Sequence, residues 1–246
     1  MKKLFQKLIH KIIILLLILA TSIVIYVFTS DDVQITWNIN SIKEMNKYTI
    51  ITKYISKSEG LYVKEQIEYI NKTNKNIQKV FLYINNINIR KEAIEEIVSL
   101  EGKEFQIKRV RAKGKNLDYR IIGKDKNILM VNLDNELEKE DKIIIEIDYD
   151  VNISILDLIT NEGEIKYSLD NWYPIIAYYN KGWHLENTYD NKDKNYFYVE
   201  IEVPEGFKVN ASGRLIEKIK KKDGNCFIFQ NKGTINFWID IISTKK

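Results

Sequence analysis

Cysteine, histidine and proline are nearly missing from this sequence, with one, two and two residues among 246. Each scarcity excludes something. A lone cysteine, Cys226, rules out an intrachain disulfide, and its place in the strand-like run CFIF reads as a buried core thiol. Two histidines, His10 and His184, fall short of an ordinary catalytic zinc site, which wants three protein ligands, usually including two imidazoles, and an open water position. The ten glycines form no Gly-rich phosphate loop, so nucleotide hydrolysis has no motif. No nucleophile elbow accompanies His184, and paired acids such as Glu138 and Glu140 read as solvated turn residues rather than a glycosidase pair.

Charge is unevenly spread. Lys2, Lys3, Lys7 and Lys11 are the only Lys, Arg, Asp or Glu in the first thirty residues; with them set aside, 34 basic residues match 34 acidic ones. A nucleic-acid binder concentrates basic charge on its folded part, because phosphate neutralisation supplies most of the affinity, so no nucleic-acid partner is expected. The local cluster Lys218, Lys220, Lys221 and Lys222 reads as a solvated turn.

The four lysines flank an uncharged apolar run from Ile12 to Phe28, with Leu8 and Ile9 just before it. About 20 helical residues cross the hydrocarbon core, so with lysines snorkelling this segment is long enough for one transmembrane helix. Lysines before it and Asp31, Asp32 after it predict a cytoplasmic N-terminus and an extracytoplasmic remainder, a single-pass arrangement in the plasma membrane. A cleaved signal peptide is the competing reading. Its small-residue site, Ile18-Leu19-Ala20, lies inside the apolar run, which favours an uncleaved anchor. The poverty in cysteine suits the outer face of a bacterial membrane better than a disulfide-rich secreted scaffold.

Past the anchor the chain reads as strands. Tyr48 to Ile55 and Leu61 to Ile70 alternate as half-buried strands do, with Leu61, Val63, Ile67 and Tyr69 on one face. Lys79 to Ile84 is a more continuous apolar run and is expected to be covered on both sides. Ile107 to Val110, Tyr119 to Ile122, Ile128 to Leu133, Ile143 to Val151 and Tyr196 to Val203 continue the pattern. Turn signals separate them at Gly114-Lys115-Asn116, Gly123-Lys124-Asp125 and Pro204-Glu205-Gly206. Arg90 to Leu100 departs, with Ala93, Ile94, Ile97 and Leu100 at helical spacing; it reads as a short helix, the alternative being an edge excursion. The expected fold is all-β, a saddle or sandwich of mostly antiparallel strands preceded by one N-terminal transmembrane helix. The expected divisions are 1–30 (basic flank and anchor), 31–44 (linker) and 45–246 (β-domain).

The most individual stretch holds Trp172, Tyr173, Tyr178, Tyr179, Trp183, His184 and Tyr189. One reading is core and corner packing. The other is an exposed aromatic surface for a protein or peptide partner, since Tyr and Trp dominate interface hot spots. His184, the sole imidazole beyond the anchor, reads as a structural ring beside Trp183; with Glu186 and Asp190 it would hold zinc only weakly.

Several runs carry a resemblance. Val63 to Asn86 (VKEQIEYINKTNKNIQKVFLYINN) is similar to the opening hairpin of the N-terminal domain of M1-type zinc aminopeptidases, in which a strand ends at an Asn-bearing turn. IKRVRAKGKNLDYRI and ILMVNLDNELEKEDKIIIEIDYDV resemble the hairpins that follow. NWYPIIAYYNKGWHL and VEIEVPEGFKVNASGRL resemble the stretch leading bacterial members into their last strands. The likeness covers roughly residues 45–243. It implies a β-domain that, in the full enzymes, packs on a catalytic domain and helps to wall the substrate cleft. That catalytic domain supplies His-Glu-x-x-His, a downstream Glu for zinc, and a Gly-x-Met-Glu-Asn loop, none of which occurs in this sequence. The sequence ends about where the peptidase half would begin. The resemblance therefore implies no cofactor in this chain, zinc only in a missing catalytic half, and no catalytic residue to carry over. Two functions remain open: a non-catalytic binding or scaffolding module, and a truncated or partial M1-like metallo-aminopeptidase.

Overall fold

The computed structural model describes residues 44–58, 60–84, 88–89, 105–124, 126–153, 158–159, 165–186 and 193–243. The expected transmembrane helix at Ile12–Phe28 and the expected short helix at Arg90–Leu100 lie outside the described residues, as does Tyr189. The described residues from Met45 onward belong to one compact unit.

Every regular element described is a strand. In chain order they are β1 (Lys47–Ile55), β2 (Gly60–Ile70), β3 (Ile77–Tyr83), β4 (Asn88–Ile89), β5 (Phe105–Ala112), β6 (Lys115–Asn116), β7 (Tyr119–Ile122), β8 (Ile128–Leu137) and β9 (Lys142–Asn152). There follow β10 (Leu158–Ile159), β11 (Ile165–Asp170), β12 (Ile175–Ile176), β13 (Asn195–Pro204), β14 (Phe207–Ala211), β15 (Arg214–Lys221), β16 (Gly224–Thr234) and β17 (Ile239–Ser243). The large sheet has the order β15-β16-β13-β1-β2-β9-β5-β6; two smaller ones run β10-β11-β17-β14, with β4 beside β11, and β12-β3-β8-β7. Among the described pairings only β1 with β13 is parallel. The fold is thus all-β and mostly antiparallel.

Alternation makes the large sheet two-faced. Tyr48, Ile50 and Tyr54 of β1, Leu61, Val63 and Ile67 of β2, and Phe197, Val199, Ile201 and Val203 of β13 all point inward and are buried. They join one core with side chains of both smaller sheets, among them Val80, Leu82, Leu129, Val131, Leu169 and Ile241. The outward positions carry charge that is paired across strands. Lys53 meets Glu202, Lys47 and Lys142 share Glu68, and Arg111, Arg109 and Lys108 meet Glu146, Asp148 and Asp150. Such a polar outer face over an apolar inner one is how an antiparallel sheet faces water on one side.

Turns follow their residues. Lys113 and Gly114 both have positive φ, 49° and 76°, and join β5 to β6 as a two-residue type I′ hairpin, so the turn sits one residue before the position expected from Gly114-Lys115-Asn116. Glu205-Gly206, with Gly206 at φ 85°, turns β13 into β14. Where β2 ends, Asn71 is fully buried. Its Nδ2 donates to the carbonyls of Lys75, Leu137 and Glu138 at 2.9–3.0 Å, while its Oδ1 accepts from the Thr73 amide and hydroxyl. One side chain thereby ties the β2–β3 turn to the β8–β9 connection.

Two expectations need correction. Lys218, Lys220 and Lys221 stand on β15 rather than in a turn; only Lys222 is in one. They are solvated because β15 ends its sheet and, among the described residues, all of its side chains but Ile219 are exposed. The run Lys79–Ile84 is largely covered, but Lys79 is exposed and Phe81 half-buried. Cys226 is buried on β16, and burial pushes its thiol pKa up.

Candidate functional site

The segment Asn171–Glu186 divides into an inner half and an outer half. In the inner half Trp172 and Tyr173 are 0% and 1% exposed. The Trp172 indole donates to the Phe237 carbonyl at 3.1 Å, and the Tyr173 hydroxyl accepts from the Phe237 amide at 2.8 Å. Two adjacent side chains thus satisfy both backbone groups of one residue in the connection before β17. Tyr48 reaches across from β1, and its hydroxyl accepts the Ile176 amide at 3.1 Å. Around these bonds Tyr48, Tyr173, Trp172, Phe197 and Phe237 pack ring on ring, with centroids 4.9–6.0 Å apart. Trp172 and Tyr173 are therefore corner-packing residues and give no surface to a partner.

The outer half is a short loop pinned to the edge of the β12-β3-β8-β7 sheet. The Ala177 amide donates to the Phe81 carbonyl at 2.8 Å and the His184 amide to the Tyr178 carbonyl at 2.9 Å. Tyr179 and Trp183 face each other in an antiparallel bridge, and the Tyr83 hydroxyl donates to the His184 carbonyl. Lys181, at φ 58°, turns the chain at the tip. Trp183 packs between Phe81, 5.3 Å away, and Tyr179, 5.4 Å away and edge-on; Tyr178 lies 5.3 Å from the His184 ring. Tyr178, Tyr179, Trp183 and Phe81 are half-buried, and His184 is exposed.

Of the seven sequence-predicted residues, four come together on this loop, two lie in the core beneath it, and Tyr189 lies outside the described residues. Phe81 and Tyr83 complete the loop's footing and were missed by the sequence reading. The signal for them is the period of two in β3, which puts both on one face. On the loop Tyr178, Tyr179 and Trp183 each keep part of their rings exposed, beside the exposed His184.

Of the weak zinc donors named from the sequence, His184 and Glu186 are exposed, and Asp190 lies outside the described residues. The His184 Nε2 lies 3.2 Å from the Asn180 carbonyl of its own loop. Among the described residues no three of His, Cys, Asp and Glu gather at one point.

No protein-family model matches the sequence, and no curated protein matches it. Solved structures do match the fold. An M1 zinc metallopeptidase from Deinococcus radiodurans, crystallised as a mutant, superposes with a TM-score of 0.51 at 12% identity, over 79% of this chain and 41% of that one. The same mutant bound to a Tyr-Ser-Ala substrate gives 0.51 at 10% identity with the same coverage. Yeast LTA4 hydrolase in complex with bestatin gives 0.51 at 13% identity, over 80% of this chain and 28% of that one. The chain spans less than half the length of these enzymes. The resemblance to the M1-type β-domain, drawn from the sequence, holds at the level of fold.

Proposed function

We infer that this chain is a membrane-anchored, extracytoplasmic binding or scaffolding module that uses an M1-peptidase-like β-domain without peptidase chemistry of its own. The observation that carries the reading is the combination of a fold shared with part of an M1 peptidase and a half-exposed aromatic loop, Tyr178–His184, on that fold. The basic flank and apolar run at the N-terminus support the anchor and its orientation. The partner is a protein or peptide that packs an apolar side chain on the exposed parts of Tyr178, Tyr179 and Trp183, and a separately encoded catalytic half is one such protein. The test is affinity purification of the full chain from solubilised membranes, beside a Tyr179→Ala/Trp183→Ala variant. A stoichiometric partner held by the wild type and lost by the variant is expected. No partner, or one that the variant retains, overturns the reading.

A second reading rests on coverage: 41% of the matched peptidase is spanned, which also suits a piece of an M1-like zinc metallo-aminopeptidase. In that case zinc and the catalytic residues belong to the other part. Sequencing the locus beyond codon 246 decides between the two. An in-frame His-Glu-x-x-His favours the enzyme piece, and its absence favours the module.

A further inference from the structure

The inward row of β2 reads Leu61, Val63, Glu65, Ile67, Tyr69, an apolar stripe interrupted by one carboxyl. Glu65 is 2% exposed. Strand register sets Ile50 and Ile147 directly across from it on β1 and β9. The same register places Tyr48, opposite Ile67, and Tyr149, opposite Val63, on its two diagonals, within reach of long side chains. Tyr173 lies against Tyr48, its ring edge-on at 6.0 Å.

These neighbours bring hydroxyls but no positive charge. The Tyr149 hydroxyl lies near enough to donate to an ionised Glu65, the one interaction that offsets its burial, but the pair falls short of a full hydrogen bond and no other group bonds either Glu65 oxygen. The carboxylates that act on the cluster from outside, Asp193 on Tyr48 and Asp170 on Tyr173, carry the same sign as an ionised Glu65. Among the described residues no lysine, arginine or histidine offsets it. A buried carboxylate with no counter-charge and only one tyrosine hydroxyl beside it is strongly disfavoured, whereas the protonated acid is far cheaper to bury.

We propose that Glu65, with Tyr48, Tyr149 and Tyr173, forms a proton-dependent lock in the core that clamps the segment Trp172–Ile176 onto the large sheet. With the acid protonated, the Tyr48 bond to the Ile176 amide and the Tyr173 bond to the Phe237 amide stay dry and closed. When the proton leaves, the uncompensated charge draws water into the core beside Tyr48, Tyr149 and Tyr173, and the clamp loosens. The loop Tyr178–His184, which follows the clamp directly, gains freedom. The lock rests on the core geometry alone and does not depend on the partner inferred above.

Desolvation supports this direction, because burial pushes the Glu65 carboxyl well above the ordinary carboxylate range. The folded chain therefore holds this proton to higher pH than the unfolded chain does. Stability from this group is full below the unfolded carboxyl value of about 4.3 and falls as pH rises toward the folded value, by at most about tenfold in the folding equilibrium per pH unit.

The experiment uses the full chain in mild detergent, wild type beside Glu65→Gln, followed from about pH 4 to about pH 9. Denaturation midpoints and protease cleavage within the 178–184 loop are read together. The wild-type midpoint should fall relative to that of the Gln variant as pH rises, and loop cleavage should rise in the wild type only, the variant keeping just the pH dependence of shared groups such as Glu68 and being at least as stable at the alkaline end. Infrared spectra of the folded wild type should show a protonated carboxylic acid at neutral pH that Glu65→Gln lacks; should the variant not fold, loss of that band with pH in step with the wild-type midpoint decides. Parallel pH profiles in the two proteins, or no protonated acid in the wild type at neutral pH, overturn the proposal.

Discussion

At the scale of single residues, a few buried polar side chains organise connections that have no regular structure. Asn71 is the clearest. Truncating it leaves the carbonyls of Leu137 and Glu138 and the Thr73 amide without their partner in a buried corner. Each unsatisfied group costs about 1–3 kcal/mol, with partial relief from water at the Lys75 side. Asn71→Ala should therefore lower unfolding stability by about 3 kcal/mol in urea titrations. A loss below about 0.5 kcal/mol would mean that the turn holds without it. The family resemblance implied an Asn-bearing turn at the end of β2, but the partners lie 66 and 67 residues further on, and no local pattern points to them. The aromatic stretch was legible as a cluster and not as two populations. Trp172 and Tyr173 turn inward because the Phe237 backbone needs an acceptor and a donor there, a demand set by a segment far along the chain. Glu65 fills the gap between Val63 and Ile67 on the inward face of β2 and was passed over in the sequence; its isolation depends on the tyrosines that surround it.

At the scale of elements, the strands that alternate were readable and those that do not were not. β1, β2, β9 and β13 each have one wet and one dry face, so the period of two is written into them. β15 was missed because every residue but Ile219 is exposed, and a strand with two wet faces has no alternation to read. The parallel pairing of β1 with β13 joins residues about 150 positions apart and is equally silent in local sequence. An edge strand of eight residues is a template for unwanted pairing. Here Leu215 and Ile216 are exposed on it, and the register slips between Leu215 and Glu217. The bulge and the lysines guard the edge: Lys218 lies over the Phe227 ring and Lys220 pairs with Glu205. Replacing both guards, Lys218→Val with Lys220→Val, should leave the fold intact and produce concentration-dependent association in light scattering. A variant that stays monodisperse at the same concentrations as the wild type would show that the bulge alone protects the edge.

At the scale of the whole molecule, charge and fold point the same way. The lysines that give the chain its formal +4 stand beside the apolar run, and the rest of the sequence is balanced. The outer face of the large sheet carries a ladder of cross-strand ion pairs, each worth little in water, with the exposed apolar side chains Ile51, Ile55, Tyr62 and Ile144 set among them. The loop at Tyr178–His184 is where half-buried aromatic rings gather instead. The most direct measurement of the proposed role is photo-crosslinking in living cells from two positions of the full chain: Trp183 on the loop and Tyr62 on the charged face. The account predicts one discrete protein adduct from position 183 and none from position 62. No adduct at 183, or the same adducts from both positions, would contradict it.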